Sequence, residues 1–265
     1  MKPLITEKRF NMEKKKGVVL KKVRENGLSL QDVSEEFRDD KKFILKEIKS
    51  NILSLKYVPE QFQDDREIVL QAIKNDPYEL KYASKKLRND KEVALEAVKQ
   101  VCDTLEYVSE KLKSNKEFAL QVVKQNGLSL FFLNKFKDDR EVFLAALKNK
   151  GALLKYANEE FKNDKEIVLS AVSQNGFFLE YATEEFKNDK EIVLAAVNQD
   201  SYALIFANEE IKQNKSFLYE IKDIIIDNKE EYFKEYDLLL RYEREDSLSK
   251  KLKSNNKNRI NRKKV

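Results

Sequence analysis

The chain repeats itself every 25 residues, and that period constrains its fold more than any other feature. Asn163–Lys187 lies over Asn188–Lys212 without a gap. A marker leucine recurs at Leu20, Leu45, Leu70, Leu95, Leu120, Leu144, Leu169 and Leu194, with Tyr219 in a degenerate ninth copy. Self-similarity at a fixed period of this length is the signature of a solenoid, whose units bury their apolar faces on their neighbours and cannot stand alone.

One repeat reads physically from its first polar residue. Asp40, Asp65, Asp90, Asn115, Asp139, Asp164, Asp189 and Asn214 each stand five residues ahead of a marker position. Asp and Asn are strong helix N-caps because the side-chain oxygen accepts an orphan backbone N–H. Glu67, Glu92, Glu117, Glu141, Glu166 and Glu191 fall in the first turn, where a carboxylate suits the positive end of the helix dipole. Ile167, Val168, Ala171 and Val172 around Leu169 then form a broad apolar stripe at helical spacing. Asn26-Gly27, Asn126-Gly127, Lys150-Gly151 and Asn175-Gly176 predict that this helix ends on a glycine in the left-handed conformation.

The second half of the unit is shorter. Leu179, Tyr181, Ala182 and Phe186 recur as Leu80, Tyr82, Ala83 and Leu87. Pro59 takes the slot held elsewhere by Ser34, Ser84, Ser109, Asn158, Thr183 or Asn208. Proline suits a first helical residue and pushes Val58 into extended backbone, while Ser, Thr and Asn cap or turn the chain. Each unit is therefore predicted as a long helix, a short helix and one more helical turn.

The fold class that follows is all-α, a helical-repeat solenoid of about nine units. Its expected parts are a basic leader over 1–14, the array over 15–218, capping helices over 219–246 and a disordered basic tail over 247–265. The capping helices would bury Ile221, Ile224, Ile225, Phe233, Tyr236, Leu239 and Leu240. Five glycines and three prolines are too few for a β-rich alternative. The spacing drops to 24 between Leu120 and Leu144, with the missing residue inside Phe131–Phe136. This is either a tolerated deletion in a turn or a shaped recognition point.

The unit, with its cap, glycine, tyrosine and Glu-Glu-Phe turn, resembles a repeat family known as domain of unknown function 4116. The resemblance covers about residues 15–218, with departures at Lys15, at Cys102 in a glycine slot and in the ninth copy. It implies an array of this kind and no activity. The layout is also similar to variant leucine-rich repeats that alternate long and short helices.

Composition narrows the chemistry. The chain has no histidine, which removes His-based triads, imidazole bases and His-containing zinc sites. Cys102 is alone, so no intramolecular disulfide forms; a structural thiol in a cytoplasmic or other non-oxidising compartment is the simplest reading. Phosphate-cradling glycine motifs are absent. The acid pairs Asp39-Asp40, Asp64-Asp65 and Asp138-Asp139 recur in register with the helix starts, so capping explains them better than a metal. No catalytic residue, metal or cofactor is expected, and no apolar run reaches the roughly 18 residues of a membrane span.

The charge is unevenly spread. Residues 1–24 hold nine Lys/Arg and two Glu, and residues 250–265 hold eight Lys/Arg and no acid. Of 52 basic and 47 acidic residues this leaves 35 and 45 in the body, which is acidic between basic ends. The tail residues Lys250, Lys251, Lys253, Lys257, Arg259, Arg262, Lys263 and Lys264 are candidate non-specific nucleic-acid contacts. The pairs Glu35-Glu36, Glu159-Glu160, Glu184-Glu185 and Glu209-Glu210 read as a solvated edge or as an acidic stripe for a basic partner.

Candidate partner contacts come from the short helix. Tyr57, Tyr82, Tyr107, Tyr156 and Tyr181, with Phe132 and Phe206, recur there and read as stacked core aromatics in preference to a binding ladder. The position before each varies instead: Lys56, Lys81, Glu106, Phe131, Lys155, Glu180 and Ile205. A fixed framework beside a variable row suggests that the row contacts a protein partner. The functional expectation is a non-enzymatic interaction scaffold, the alternative a nucleic-acid-associated binder or inhibitor of a nucleoprotein complex that works through its basic ends.

Overall fold

The aspartate before each marker leucine starts a helix. In the computed structural model, which describes residues 17, 18, 21, 35–50 and 54–227, every such Asp or Asn from Asp40 to Asn214 accepts a backbone N–H from the helix it opens. Asp164, for example, takes Glu166 N at 3.0 Å and Ile167 N at 3.2 Å. The leader, most of the first unit including Gly27, the residues after Asp227 and all eight tail cations lie outside the described residues.

The chain divides into two compact units, Met1–Ala146 and Leu147–Val265, built from the same repeat. In the first, the long helices Lys41–Lys49, Arg66–Asn75, Lys91–Gln100 and Lys116–Gln125 pack each on the next. Arg140–Asn149 spans the boundary. In the second, Lys165–Val172, Lys190–Gln199 and Lys215–Asp227 stack likewise. The last of these runs well past Leu218, burying Phe217, Leu218 and Ile221. No strand occurs among the described residues, and no helix there is long and apolar enough to cross a membrane. The all-α repeat array read from the period is the observed architecture.

Four positions of most long helices enter the core, and Arg140–Asn149 buries five, its marker Leu144 included. Ile68, Val69, Ala72 and Ile73 do so in one repeat, and Ile167, Val168, Ala171 and Val172 in another. The marker leucine sits at the edge of this stripe, half-buried at Leu70, Leu95, Leu120, Leu169 and Leu194. The core is completed by a leucine of the short helix, the Ala or Val after it, and a Phe, Leu or Ile of the final turn, as in Leu179, Ala182 and Phe186.

The short helix is a six-residue 3-10 helix, seen at Pro77–Tyr82, Cys102–Tyr107, Gly127–Phe132, Gly151–Tyr156, Gly176–Tyr181 and Ser201–Phe206. It follows one extended residue, such as Asn175 at φ −155° and ψ 119°, whose side chain accepts Phe177 N at 2.9 Å. This corrects the expected left-handed stop. Gly176 is the first residue of the 3-10 helix and is required for space, since a Cβ there would lie 2.3 Å from Ala196 O. At Gly176 the missing Cβ lets this repeat touch the backbone of the next.

The final turn is a four-residue α-helix (Glu60–Gln63, Glu110–Lys113, Glu159–Lys162, Glu209–Lys212) or a three-residue 3-10 helix (Leu87–Asn89, Phe186–Asn188). Ser109 and Asn158 cap it through Leu112 N and Phe161 N. Pro59 is the cap residue itself, at ψ 151°, so the first helical residue is Glu60; Val58 is extended as expected. The 24-residue interval is spent in the linker before this turn. Two residues, such as Val108-Ser109, shrink to Leu133 alone, which is buried and leads straight into Asn134–Phe136.

Candidate protein-docking face

Three residues per turn divide each 3-10 helix into three faces. Positions 1 and 4 look inward, as Gly176 and Leu179 do. Positions 3 and 6 lie on the flank, where Thr104, Ser129 and Ala203 are buried and the aromatic at position 6 is mostly half-buried. Positions 2 and 5 face out. All seven residues of the variable row, Lys56, Lys81, Glu106, Phe131, Lys155, Glu180 and Ile205, are exposed.

This geometry adds residues that the sequence reading passed over. Position 2 eclipses position 5, so Tyr78 stands beside Lys81, Asp103 beside Glu106, Leu128 beside Phe131 and Phe177 beside Glu180. Tyr78, Leu128 and Phe177 are 39%, 39% and 37% exposed, with Phe131 at 42% and Ile205 at 50%. Read with an α-helical period, position 2 would not share an edge with position 5, and the signal is lost.

It also corrects the aromatic ladder. Tyr57, Tyr82, Tyr107, Tyr181, Phe132 and Phe206 are half-buried and Tyr156 is 63% exposed, so none is a core residue. The leucine at position 4 takes the core site that a stacked tyrosine would need. The rings instead support lysines of the variable row. Lys56 Nζ lies 5.3 Å from the Tyr57 ring centre, Lys81 Nζ 4.6 Å from Tyr82, and Lys155 Nζ 6.0 and 5.9 Å from Tyr156 and Tyr181. A hydrogen bond to the Tyr82 hydroxyl helps to hold the Lys81 pKa above its ordinary value.

Charges elsewhere on the repeat are largely spent on one another. The first helical residue bridges to the next repeat: Lys41 to Asp65 and Glu67, Arg66 to Asp90 and Glu92, Lys116 to Asp139 and Glu141, Lys165 to Asp189 and Glu191. Hydrogen bonds to these carboxylates hold Lys41, Lys116 and Lys165 above the usual lysine value. The final turn pairs within itself, Glu110 with Lys113, Glu159 with Lys162, Glu184 with Lys187 and Glu209 with Lys212. One glutamate in each of the pairs Glu159-Glu160, Glu184-Glu185 and Glu209-Glu210 is thereby neutralised. By contrast, Lys56, Lys81, Glu106, Lys155 and Glu180 enter no ion pair among the described residues. Exposed last-turn lysines such as Lys74 and Lys99 are unpaired too, but each faces the negative end of its own helix.

The acid pairs are structural. Asp65 and Asp139 cap helices, while Asp64 accepts the Ser84 hydroxyl and Asp39 accepts Gln61 Nε2 from the following repeat. No group of three metal-binding side chains occurs among the described residues. Cys102 opens its 3-10 helix half-buried, and burial, with Asp103 beside it, pushes its thiol above the ordinary value. A protonated thiol is a poor nucleophile.

A family model described as a domain of unknown function, DUF4116, matches six overlapping stretches: 16–63, 65–113, 90–137, 115–162, 139–187 and 164–212. The chain belongs to this family. Successive matches overlap by about one repeat from 90 onwards, so the family's unit spans two of the 25-residue repeats. The outward row of the 3-10 helices is therefore displayed at least once within each DUF4116 match. Neither the curated proteins nor the solved structures contain a match.

Proposed function

We propose that this DUF4116 chain is a non-enzymatic scaffold that binds a protein partner along the outward edge of its 3-10 helices. The carrying observation is that this edge holds exposed apolar side chains beside charges that enter no ion pair among the described residues. Rows whose charges are already paired offer a partner little, because breaking an existing pair offsets the new one. Lys81 and Glu106 with Leu128 and Phe131 in Met1–Ala146, and Lys155 and Glu180 with Phe177 and Ile205 in Leu147–Val265, offer each unit both contact area and orientation. The lack of histidine and the protonated state of Cys102 favour a binding role over catalysis.

The test compares two sets of variants on the same chain. Lys81→Glu with Phe131→Ser and Ile205→Ser alters the proposed edge, while Lys42→Glu with Lys74→Glu and Lys99→Glu alters the long-helix surface. Crosslinking in host lysate should give one protein captured by the wild type and by the long-helix variant but lost from the edge variant. Equal capture by all three would overturn the assignment. The tail cations Lys250 to Lys264 support the alternative, nucleic-acid role; removing residues 247–265 and measuring salt-dependent binding to a generic oligonucleotide tests it separately.

A further inference from the structure

Within Met1–Ala146 the outward edge is not a random mixture. Taken in repeat order, its residues are Lys56, then Tyr78 and Lys81, then Asp103 and Glu106, then Leu128 and Phe131. The four 3-10 helices that carry them pack each on the next. The edge thus runs basic, basic, acidic, apolar, with one chemical character per repeat.

We infer that this edge binds an extended peptide whose side chains run acidic, acidic, basic, apolar at every third residue. This rests on the docking-face reading above and names its occupant. Charge complementarity sets the order. Lys56 and Lys81, each held over its own tyrosine and in no ion pair among the described residues, meet the two acidic side chains. Glu106, which also enters no ion pair among the described residues, meets the basic one. Leu128 and Phe131 receive the apolar one.

Geometry sets the spacing. Packed helices stand about 8–10 Å apart, and an extended chain advances about 3.3 Å per residue. Every third residue of an extended peptide therefore meets a new repeat. A helical peptide, rising about 1.5 Å per residue, would need six or seven residues for the same step, about twice the chain for the same four contacts. The alternation of sign also disfavours a single-stranded nucleic acid, whose uniform backbone charge would meet Asp103 and Glu106 in mid-track.

The experiment uses the full chain and fluorescein-labelled ten-residue peptides. One has glutamate, glutamate, arginine and leucine at positions one, four, seven and ten with Ser-Gly between, and is made in both chain directions. A second has the same composition in the order arginine, glutamate, leucine, glutamate. Fluorescence anisotropy should show at least about ten-fold tighter binding of the ordered peptide in one direction. The double variant Lys81→Glu with Glu106→Lys, checked for unchanged helical content by circular dichroism, should reverse the preference towards a peptide with its second and third charges exchanged. Equal binding of ordered and permuted peptides, or a preference untouched by the reversal, overturns the inference. Tighter binding of a labelled ten-nucleotide oligouridine, lost in Lys81→Glu, overturns it in favour of nucleic acid. If no peptide binds while edge-dependent protein capture persists, the peptide inference fails and the scaffold reading stands.

Discussion

The side-chain amide of Gln174 joins two repeats: its Nε2 donates to Leu147 O at 2.8 Å, and its Oε1 accepts Gly151 N at 2.9 Å. Leu147 O belongs to the last turn of the previous long helix, where carbonyls lack intrahelical partners. Gln100 does the same for Ile73 O at 3.0 Å, and Asn75 for Ile48 O. An amide 27 residues downstream thus satisfies a last-turn carbonyl in each of these three helices, a role that Lys or Arg of the same helix can also fill.

Replacing Gln174 by Ala removes both bonds. At about 1 kcal/mol per hydrogen bond, unfolding in urea should show a loss of about 2 kcal/mol. Gln174→Glu should cost as much or more, because a carboxylate keeps the acceptor for Gly151 N but offers Leu147 O no donor. Wild-type stability in the alanine variant would show that solvent serves these groups equally well.

Gly176→Ala should destabilise by about 1–3 kcal/mol, the cost of forcing backbone apart around an added methyl. Its Cβ would meet Ala196 O at 2.3 Å and the Ala203 Cβ at 2.9 Å. Gly176→Asn separates this cause from a left-handed backbone, which asparagine tolerates. A urea midpoint for the asparagine variant above that of the alanine variant would contradict the steric account.

Stability should fall on the acid side. Burial raises Asp65, Asp139 and Asp189, but the lysine of the preceding repeat and the capped backbone N–H groups outweigh it and hold each below the ordinary 3.8. A depressed carboxylate contributes stability above its unfolded pKa and loses it as pH falls through its folded one. Urea midpoints should therefore hold from neutral pH to about 5 and drop below about 4. Asp189→Asn should flatten that drop while keeping the cap, as Asn115 already does for Phe118 N at 2.9 Å. An unchanged acid limb would detach the shift from folding.

Neighbouring residues on the 3-10 helix should respond oppositely to truncation. Leu204 is buried and Ile205 is 50% exposed. Leu204→Ala should cost about 2–5 kcal/mol, and Ile205→Ser should stay within about 0.5 kcal/mol of wild type. Thermal and urea unfolding of the two variants measure this directly. A large loss in the serine variant would place Ile205 in the core and remove it from the docking edge.

Much of the fold was legible because its signals are local. Asp164 caps, Ile167, Val168, Ala171 and Val172 bury, and Ser109 starts a turn, all by interactions within a few residues. The candidate edge was legible in half. Lys81 and Glu106 stood out as variable beside a fixed tyrosine, whereas Tyr78 and Leu128 could be paired with that row only once the helix was seen to have three residues per turn.

The amino-acid order alone determined the repeat, its caps, its apolar stripe and the absence of histidine chemistry, since each depends on residue type at short spacing. The tertiary structure decided what the repeats do to one another. It gave Gly176 its steric role, turned Gln174 into the cap of a helix one repeat away, and closed the Lys165–Asp189 bridge. It also left Lys81 and Glu106 at the surface, in no ion pair among the described residues. These outcomes depend on distances between residues more than 20 positions apart, which a pattern of short spacings does not contain and only the packing of neighbouring repeats sets.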